Sequence, residues 1–123
     1  MNAVCLSELF SELLGYQVYI LNFPQYTEGT FTKFEITSGV QEIGGVYDFN
    51  IQFMVKSKEP SESESVALKI IDTLDMLTNT DFGAGKYQLI LSKATSPQPY
   101  FVGETETNEY IFSTDFRLLV NKL

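Results

Sequence analysis

Residues 110–121 read Tyr-Ile-Phe-Ser-Thr-Asp-Phe-Arg-Leu-Leu-Val-Asn, a long stretch in which apolar and polar positions alternate. Mostly apolar side chains, from Phe112 to Val120, occupy one parity, and the other parity includes Asp115 and Arg117. Successive residues of a strand point to opposite faces, so this pattern predicts a strand with one buried face. Its length exceeds the typical five or six residues of a strand.

Further strand patterns lie upstream of this terminal strand. The clearest covers residues 47–55, where aromatic and β-branched residues alternate with Asp48, Asn50 and Gln52. Weaker patterns predict strands over residues 16–23, 30–38 and 87–95. Glycines predict a turn-rich connection over residues 39–45 and a loop over residues 79–86, and two prolines predict an extended, irregular segment over residues 96–104.

Two segments show the three- and four-residue apolar spacing of amphipathic helices. The first runs over residues 3–14, with Gly15 placed to end it. The second begins at Ser61, which with Glu64 has the spacing of a capping box, and continues to Leu77.

This order of elements predicts an α+β (α/β sandwich) fold in a single domain over residues 1–123. We expect one mixed, mainly antiparallel sheet of four to five strands, with two helices packed on one face. The predicted core consists of apolar residues on the strand and helix faces that point inward: Phe49, Ile51, Phe53, Ile70, Leu74, Phe112 and Phe116.

Composition excludes several classes of function. The chain has 123 residues, 16 of them acidic and 8 basic, which gives a net charge of −8, and it contains no histidine. Histidine-based catalytic relays and imidazole zinc sites are therefore excluded. The charge opposes binding to phosphate backbones and anionic lipid. No apolar run approaches a membrane span and no signal peptide is evident, so we expect a soluble, cytosolic protein without membrane contact.

No catalytic, cofactor or metal site is predicted. Acidic residues cluster in sequence at two places: Glu104, Glu106 and Glu109, and Asp72 and Asp75. Neither cluster has the spacing of an EF-hand calcium loop. We expect these residues to lie on solvated loops and helix faces. The single Cys5 is expected to be a small buried apolar residue, and most aromatic rings are expected to pack in the core. An Asp-Phe-Gly triplet at residues 81–83 lacks the other parts of a kinase.

The C-terminal third resembles the phage minor capsid and tail terminator proteins of long-tailed bacteriophages. The resemblance rests on Pro-Tyr-Phe-Val-Gly-Glu at residues 99–104 and on Tyr-Ile-Phe-Ser-Thr-Asp-Phe-Arg at residues 110–117, where Asp115 stands in place of the family's usual asparagine. The Phe23-Pro24 step, the Gly44-Gly45 pair and the strand ending at Lys56 follow in the same order upstream.

The resemblance implies a virion structural protein without enzymatic activity. Such proteins form a hexameric ring that terminates the tail tube and joins it to the head connector or completion protein, while DNA passes through the lumen without specific binding. It implies assembly in the host cytoplasm and a place in the virion at the head-to-tail joint. Ring and tube contacts are expected from these residues: Gly44, Gly45, Pro99, Tyr100, Phe101, Gly103, Glu104, Asp115 and Arg117.

Other functions remain open from the residues themselves. A neighbouring connector or head completion component would share the same features. A small-molecule or peptide-binding module could use the aromatic sheet face as a pocket, and an enzyme with paired carboxylates is a more distant alternative.

Overall fold

A computed structural model describes residues 2–25, 28–41 and 44–123. The described chain is a mixed α+β structure with two helices and a seven-stranded sheet in the order β1-β2-β3-β7-β5-β4, with β6 also paired to β7. The predicted fold class is confirmed, whereas the predicted four to five strands were too few. The elements are α1 (Ala3–Leu14), β1 (Val18–Ile20), β2 (Phe31–Gln41), β3 (Val46–Ser57), α2 (Pro60–Leu74), β4 (Leu77–Phe82), β5 (Tyr87–Ala94), β6 (Tyr100–Glu104) and β7 (Tyr110–Lys122).

Two of these strands lie where the sequence predicted a helix end, a loop or an irregular segment. α2 ends at Leu74, and β4 follows after Met76, whose φ of 61° is incompatible with a continued helix. β4 then pairs with β5 across a turn at residues 83–86, so only part of the predicted loop is a loop. β6 lies in the predicted irregular segment and is stabilised by pairing with β7, which local sequence patterns cannot reveal.

β7 is the central strand of the sheet. β3 pairs antiparallel with it on one side, from Ser57 opposite Tyr110 to Val46 opposite Asn121. On the other side, β5 covers its C-terminal half and β6 its N-terminal end. β5 and β6 therefore form one line along β7, interrupted where Pro97 and Pro99 supply no backbone donor.

Both helices pack on the same face of the sheet, which we call the inner face. Asn2 caps α1, and Gly15 ends it in the left-handed conformation. The Phe10 ring of α1 lies 5.1 Å from Phe34 and 5.0 Å from Phe53, in edge-to-face contacts. α2 starts with Pro60 after Glu59, whose side chain makes no capping hydrogen bond, so the predicted capping box at Ser61 is wrong.

The predicted core residues lie on this inner face in two degrees of burial. Ile51, Phe53, Ile70, Leu74 and Phe116 are buried in the core cluster. The remaining two, Phe49 and Phe112, are partly buried and pack against its margin. The opposite face, which we call the outer face, carries no helix in the described part of the chain.

Candidate assembly interface

Two cross-strand rows define the outer face around the middle of β7. In one row, Asp48 of β3 lies opposite Leu119 of β7, which lies opposite Leu91 of β5. In the next row, Arg117 of β7 lies opposite Lys93 of β5. Directly opposed residues share a face, so apolar and cationic side chains adjoin here.

Arg117 is held against the sheet by a bidentate ion pair. Its Nε donates to Asp48 Oδ1 at 2.9 Å, and its second guanidinium nitrogen donates to Asp48 Oδ2 at 2.6 Å. The hydrogen bond from Arg117 lowers the pKa of Asp48. Asp48 was not identified from the sequence, because 69 positions separate the two residues and only strand register brings them together.

A shallow groove of about 200 Å³ crosses these rows. Leu91 and Leu119 lie opposite each other in it, and Lys93 and Arg117 flank them. Ala94 and Thr95 complete the lining. Sequence reasoning missed this groove, because it depends on the register of two strands that are distant in the chain.

Tyr100 connects β6 to the outer face. Its hydroxyl accepts from Gln52 Nε2 at 3.0 Å and donates to Asp115 Oδ2 at 3.1 Å. Two of the predicted interface residues, Tyr100 and Asp115, are therefore direct partners. The contact orients the start of β6 while leaving much of the Tyr100 side chain exposed.

β6 presents consecutive exposed apolar residues at a sheet margin. Phe101 is 55% exposed and Val102 is 45% exposed. The register shifts between Phe101 and Gly103, so Val102 occupies a β-bulge. The Phe101 ring retains a contact with Phe112 at 5.5 Å. Tyr100 points to the outer face, whereas Phe101 lies opposite Phe112 at the margin of the inner face. We call Tyr100, Phe101 and Val102, which together cover this edge of the sheet, the β6 apolar patch.

A buried ion pair fixes the turn between β6 and β7. Lys56 Nζ lies 3.2 Å from Glu109 Oε2, and the ammonium also lies over the ring of Phe23. Glu109 accepts hydrogen bonds from the hydroxyls of Thr105 and Thr107. The bond from Thr107, aided by Lys56, lowers the pKa of Glu109 against the opposing effect of burial. The expectation that Glu109 is solvated was therefore wrong.

The structure divides the predicted interface residues between two ends of β7. Tyr100, Phe101, Gly103 and Glu104 lie together on β6, which pairs with the N-terminal end of β7, and Pro99 directly precedes them. Arg117 lies farther along the outer face.

Gly44 and Gly45 lie at the other end, where Lys122 N donates to Gly45 O at 2.9 Å. The predicted 39–45 connection is shorter than expected, because Gly39 belongs to β2, and residues 42–43 lie outside the described residues.

Metal-binding clusters and membrane-spanning helices are absent from the residues that the structure describes. In residues 2–25, 28–41 and 44–123, no group of three or more Cys, Asp or Glu residues could hold a metal ion. None of the described helices is long and apolar enough to cross a membrane. Cys5 is a free thiol, half-buried against the core instead of fully buried.

The fold is shared with a chain in a solved structure of a virion particle. A solved structure described as the virion of a native gene transfer agent particle contains a chain that aligns with a TM-score of 0.55 and 17% sequence identity. The alignment covers 92% of this chain and 84% of the other. A comparison with curated proteins finds no similar sequence.

Family membership follows from the sequence itself. A family model described as bacteriophage tail terminator protein matches residues 15–122. The chain belongs to the bacteriophage tail terminator family, as the resemblance implied. It is a structural protein of virion assembly with a tail-terminating role, located in the virion, and its family suggests that it is not an enzyme.

Proposed function

We propose that copies of this chain form a ring, expected to be hexameric, on the end of the tail tube. The ring stops tube polymerisation and presents its other side to the head connector or completion protein. A ring requires head-to-tail contacts between two different patches of each subunit. The separation of candidate interface residues between the two ends of β7 supports such an arrangement.

The observation that carries this proposal is the β6 apolar patch. Three consecutive apolar residues that are each more than 40% exposed, with Tyr100 at 43%, lie on a strand at the sheet margin. An exposed apolar margin in a free subunit invites association. Burial against a neighbouring subunit or the tube gives these side chains a role that core packing does not.

The charge of the chain is consistent with a DNA passage. A net charge of −8 repels phosphate backbones, so an acidic lumen lets DNA pass without gripping it. In this proposal the single domain over residues 1–123 needs no cofactor and has no catalytic role. It is made in the host cytoplasm and retained in the virion at the head-to-tail joint.

Deletion and complementation in a particle-producing strain test the proposed function. Without the gene, we expect tubes that exceed native length or lack heads, and the supplied protein should restore native tails. An affinity-labelled copy should appear by electron microscopy at the head-proximal end of each tail. Native-length, head-joined tails in the deletion strain, or label found elsewhere, would refute the proposal.

A further inference from the structure

The groove on the outer face combines an apolar floor with an available positive charge. Leu91 and Leu119 form the floor, while Arg117 is engaged by Asp48. Lys93 is exposed, and its Nζ lies 3.9 Å from Met76 Sδ, a weak acceptor. In the described part of the chain, no ion pair involves Lys93. The groove therefore suits a segment that offers apolar side chains next to a carboxylate.

Residues 101–106 of this same chain offer that chemistry. Phe101 and Val102 are exposed, and the exposed Glu104 and Glu106 follow them. Neither of these glutamates belongs to an ion pair within the described residues. Glu109 differs, because Lys56 already neutralises it in a buried contact.

The groove and residues 101–106 cannot meet within one subunit. Lys93 lies opposite Arg117, whereas Glu104 lies opposite Tyr110. At about 3.3 Å per residue along β7, these two points are roughly 23 Å apart. β5 and β6 belong to one sheet, and Glu106 lies in the turn directly after β6. The complementary surfaces can therefore be joined only between different copies.

We propose that the groove of one copy binds residues 101–106 of the next copy, with Glu104 or Glu106 pairing with Lys93. This inference rests on the proposed ring, for which it supplies the subunit contact. Phe101 and Val102 then cover Leu91 and Leu119. The contact joins two different patches, so it repeats head to tail and can close into a ring.

Local charge complementarity favours a second copy of this chain as the occupant. Each copy carries a net charge of −8, so copies repel unless acidic groups of one lie on cations of another. Among the residues that the structure describes, three of the 8 basic residues form ion pairs: Lys56, Lys58 and Arg117. Nucleic acid is disfavoured, because apolar Leu91 and Leu119 give phosphates no partners.

Isotope-resolved cross-linking tests the contact directly. Equal amounts of ¹⁴N- and ¹⁵N-labelled protein are mixed at about 1 mM, where a contact with a millimolar Kd is substantially formed. A carbodiimide then joins lysine amines to carboxylates that touch, and mass spectrometry identifies peptides of mixed isotope origin. We expect mixed-isotope links from Lys93 to Glu104 or Glu106. Links confined to other lysines, or no mixed-isotope link, would overturn the proposal.

Charge exchange provides an independent test by sedimentation. Lys93→Glu should weaken self-association at least tenfold, because it places like charges together. Adding Glu104→Lys and Glu106→Lys to the same chain should restore association. Lys69→Glu makes the same charge change on the exposed face of α2 and should leave association unchanged. Equal effects of Lys93→Glu and Lys69→Glu, or no restoration, would contradict the contact.

The outcomes separate this contact from the proposed function. If Lys93→Glu still yields native-length tails in the complementation assay and the Lys93 cross-links are absent, the contact is wrong while the terminator role stands. If the unchanged protein fails to restore tails, the proposed function fails, whatever the cross-links show.

Discussion

Successive residues of β7 point to opposite faces of the sheet, and the two faces differ in burial. On the inner face, Phe116 and Leu118 are fully buried beneath the helices. On the outer face, Asp115, Arg117 and Leu119 are half-buried or exposed and face no helix in the described chain. One strand therefore serves folding on one face and, in our proposal, assembly on the other. Substitutions at neighbouring positions should separate the two roles.

The largest effect is expected on the inner face. Phe116→Asp places a charge at a fully buried position and removes the edge-to-face contact with Phe53 at 5.6 Å. We expect a loss of at least about 5 kcal/mol, which equals the whole stability of a domain at the lower end of the usual range. Circular dichroism should show loss of the cooperative thermal transition.

Phe116→Leu is the matched control, because it keeps the position apolar. It should fold with a loss of about 1–2 kcal/mol from the smaller side chain. A folded Phe116→Asp protein with an unchanged transition would contradict the division between the two faces.

The second effect is expected at the Lys56–Glu109 pair. Glu109→Gln leaves the Lys56 ammonium buried without its counter-charge, which should cost about 2–3 kcal/mol in urea unfolding. Replacing Lys56 with Met as well removes that orphaned charge. The double variant should therefore be more stable than Glu109→Gln alone, and a purely additive double-mutant cycle would show that the pair is not coupled.

Acid should weaken the same region. The pKa of Glu109 is lower in the folded chain than its ordinary value. The stability that the Glu109 carboxylate contributes is therefore fully present above its unfolded-state pKa, and it is lost as pH falls through the lower folded-state pKa. The pKa of Asp48 is also lowered in the folded chain, so Asp48 likewise contributes stability that is lost as pH falls. Glu109→Gln should flatten the fall in unfolding free energy below about pH 5, and an unchanged slope would exclude Glu109 as its source.

A smaller effect is expected at Arg117. The Arg117 side chain is 57% exposed, so loss of its pair with Asp48 in Arg117→Gln should cost no more than about 1 kcal/mol. Thermal unfolding should show a shift of only a few degrees. A loss of stability as large as that caused by Phe116→Asp would mean that the outer face also contributes strongly to folding.

Periodicity alone predicted the elements that are determined by local sequence. The helix over residues 3–14, the strand pattern at 47–55 and the terminal strand all lie in the described elements. In each of these segments, the alternation or helical spacing of apolar residues predicts which side chains point toward the core. Of the five predicted residues that lie in the core cluster, Ile51, Phe53 and Phe116 come from these strand patterns, and Ile70 and Leu74 come from the spacing of the second helix.

Features that depend on pairing between distant segments were not predictable in this way. β4 and β6 exist because β5 and β7 pair with them, and neither has a strong pattern of its own. The contacts on the outer face were not predictable for the same reason. Strand register alone brings Asp48 next to Arg117 and places Lys93 beside the groove. The function was predicted from the resemblance to known phage proteins and not from the spacing of residues in the sequence.

The central claim, that the β6 apolar patch serves assembly and not folding, is tested most directly by Val102→Asp in the tail complementation assay. Val102 is exposed and bulged, so the variant should retain its free energy of unfolding within about 0.5 kcal/mol. Val4 is also an exposed valine but lies on α1, so Val4→Asp is the matched control. We predict that Val102→Asp fails to restore native tails while Val4→Asp restores them. Full restoration by a folded Val102→Asp protein would contradict the account.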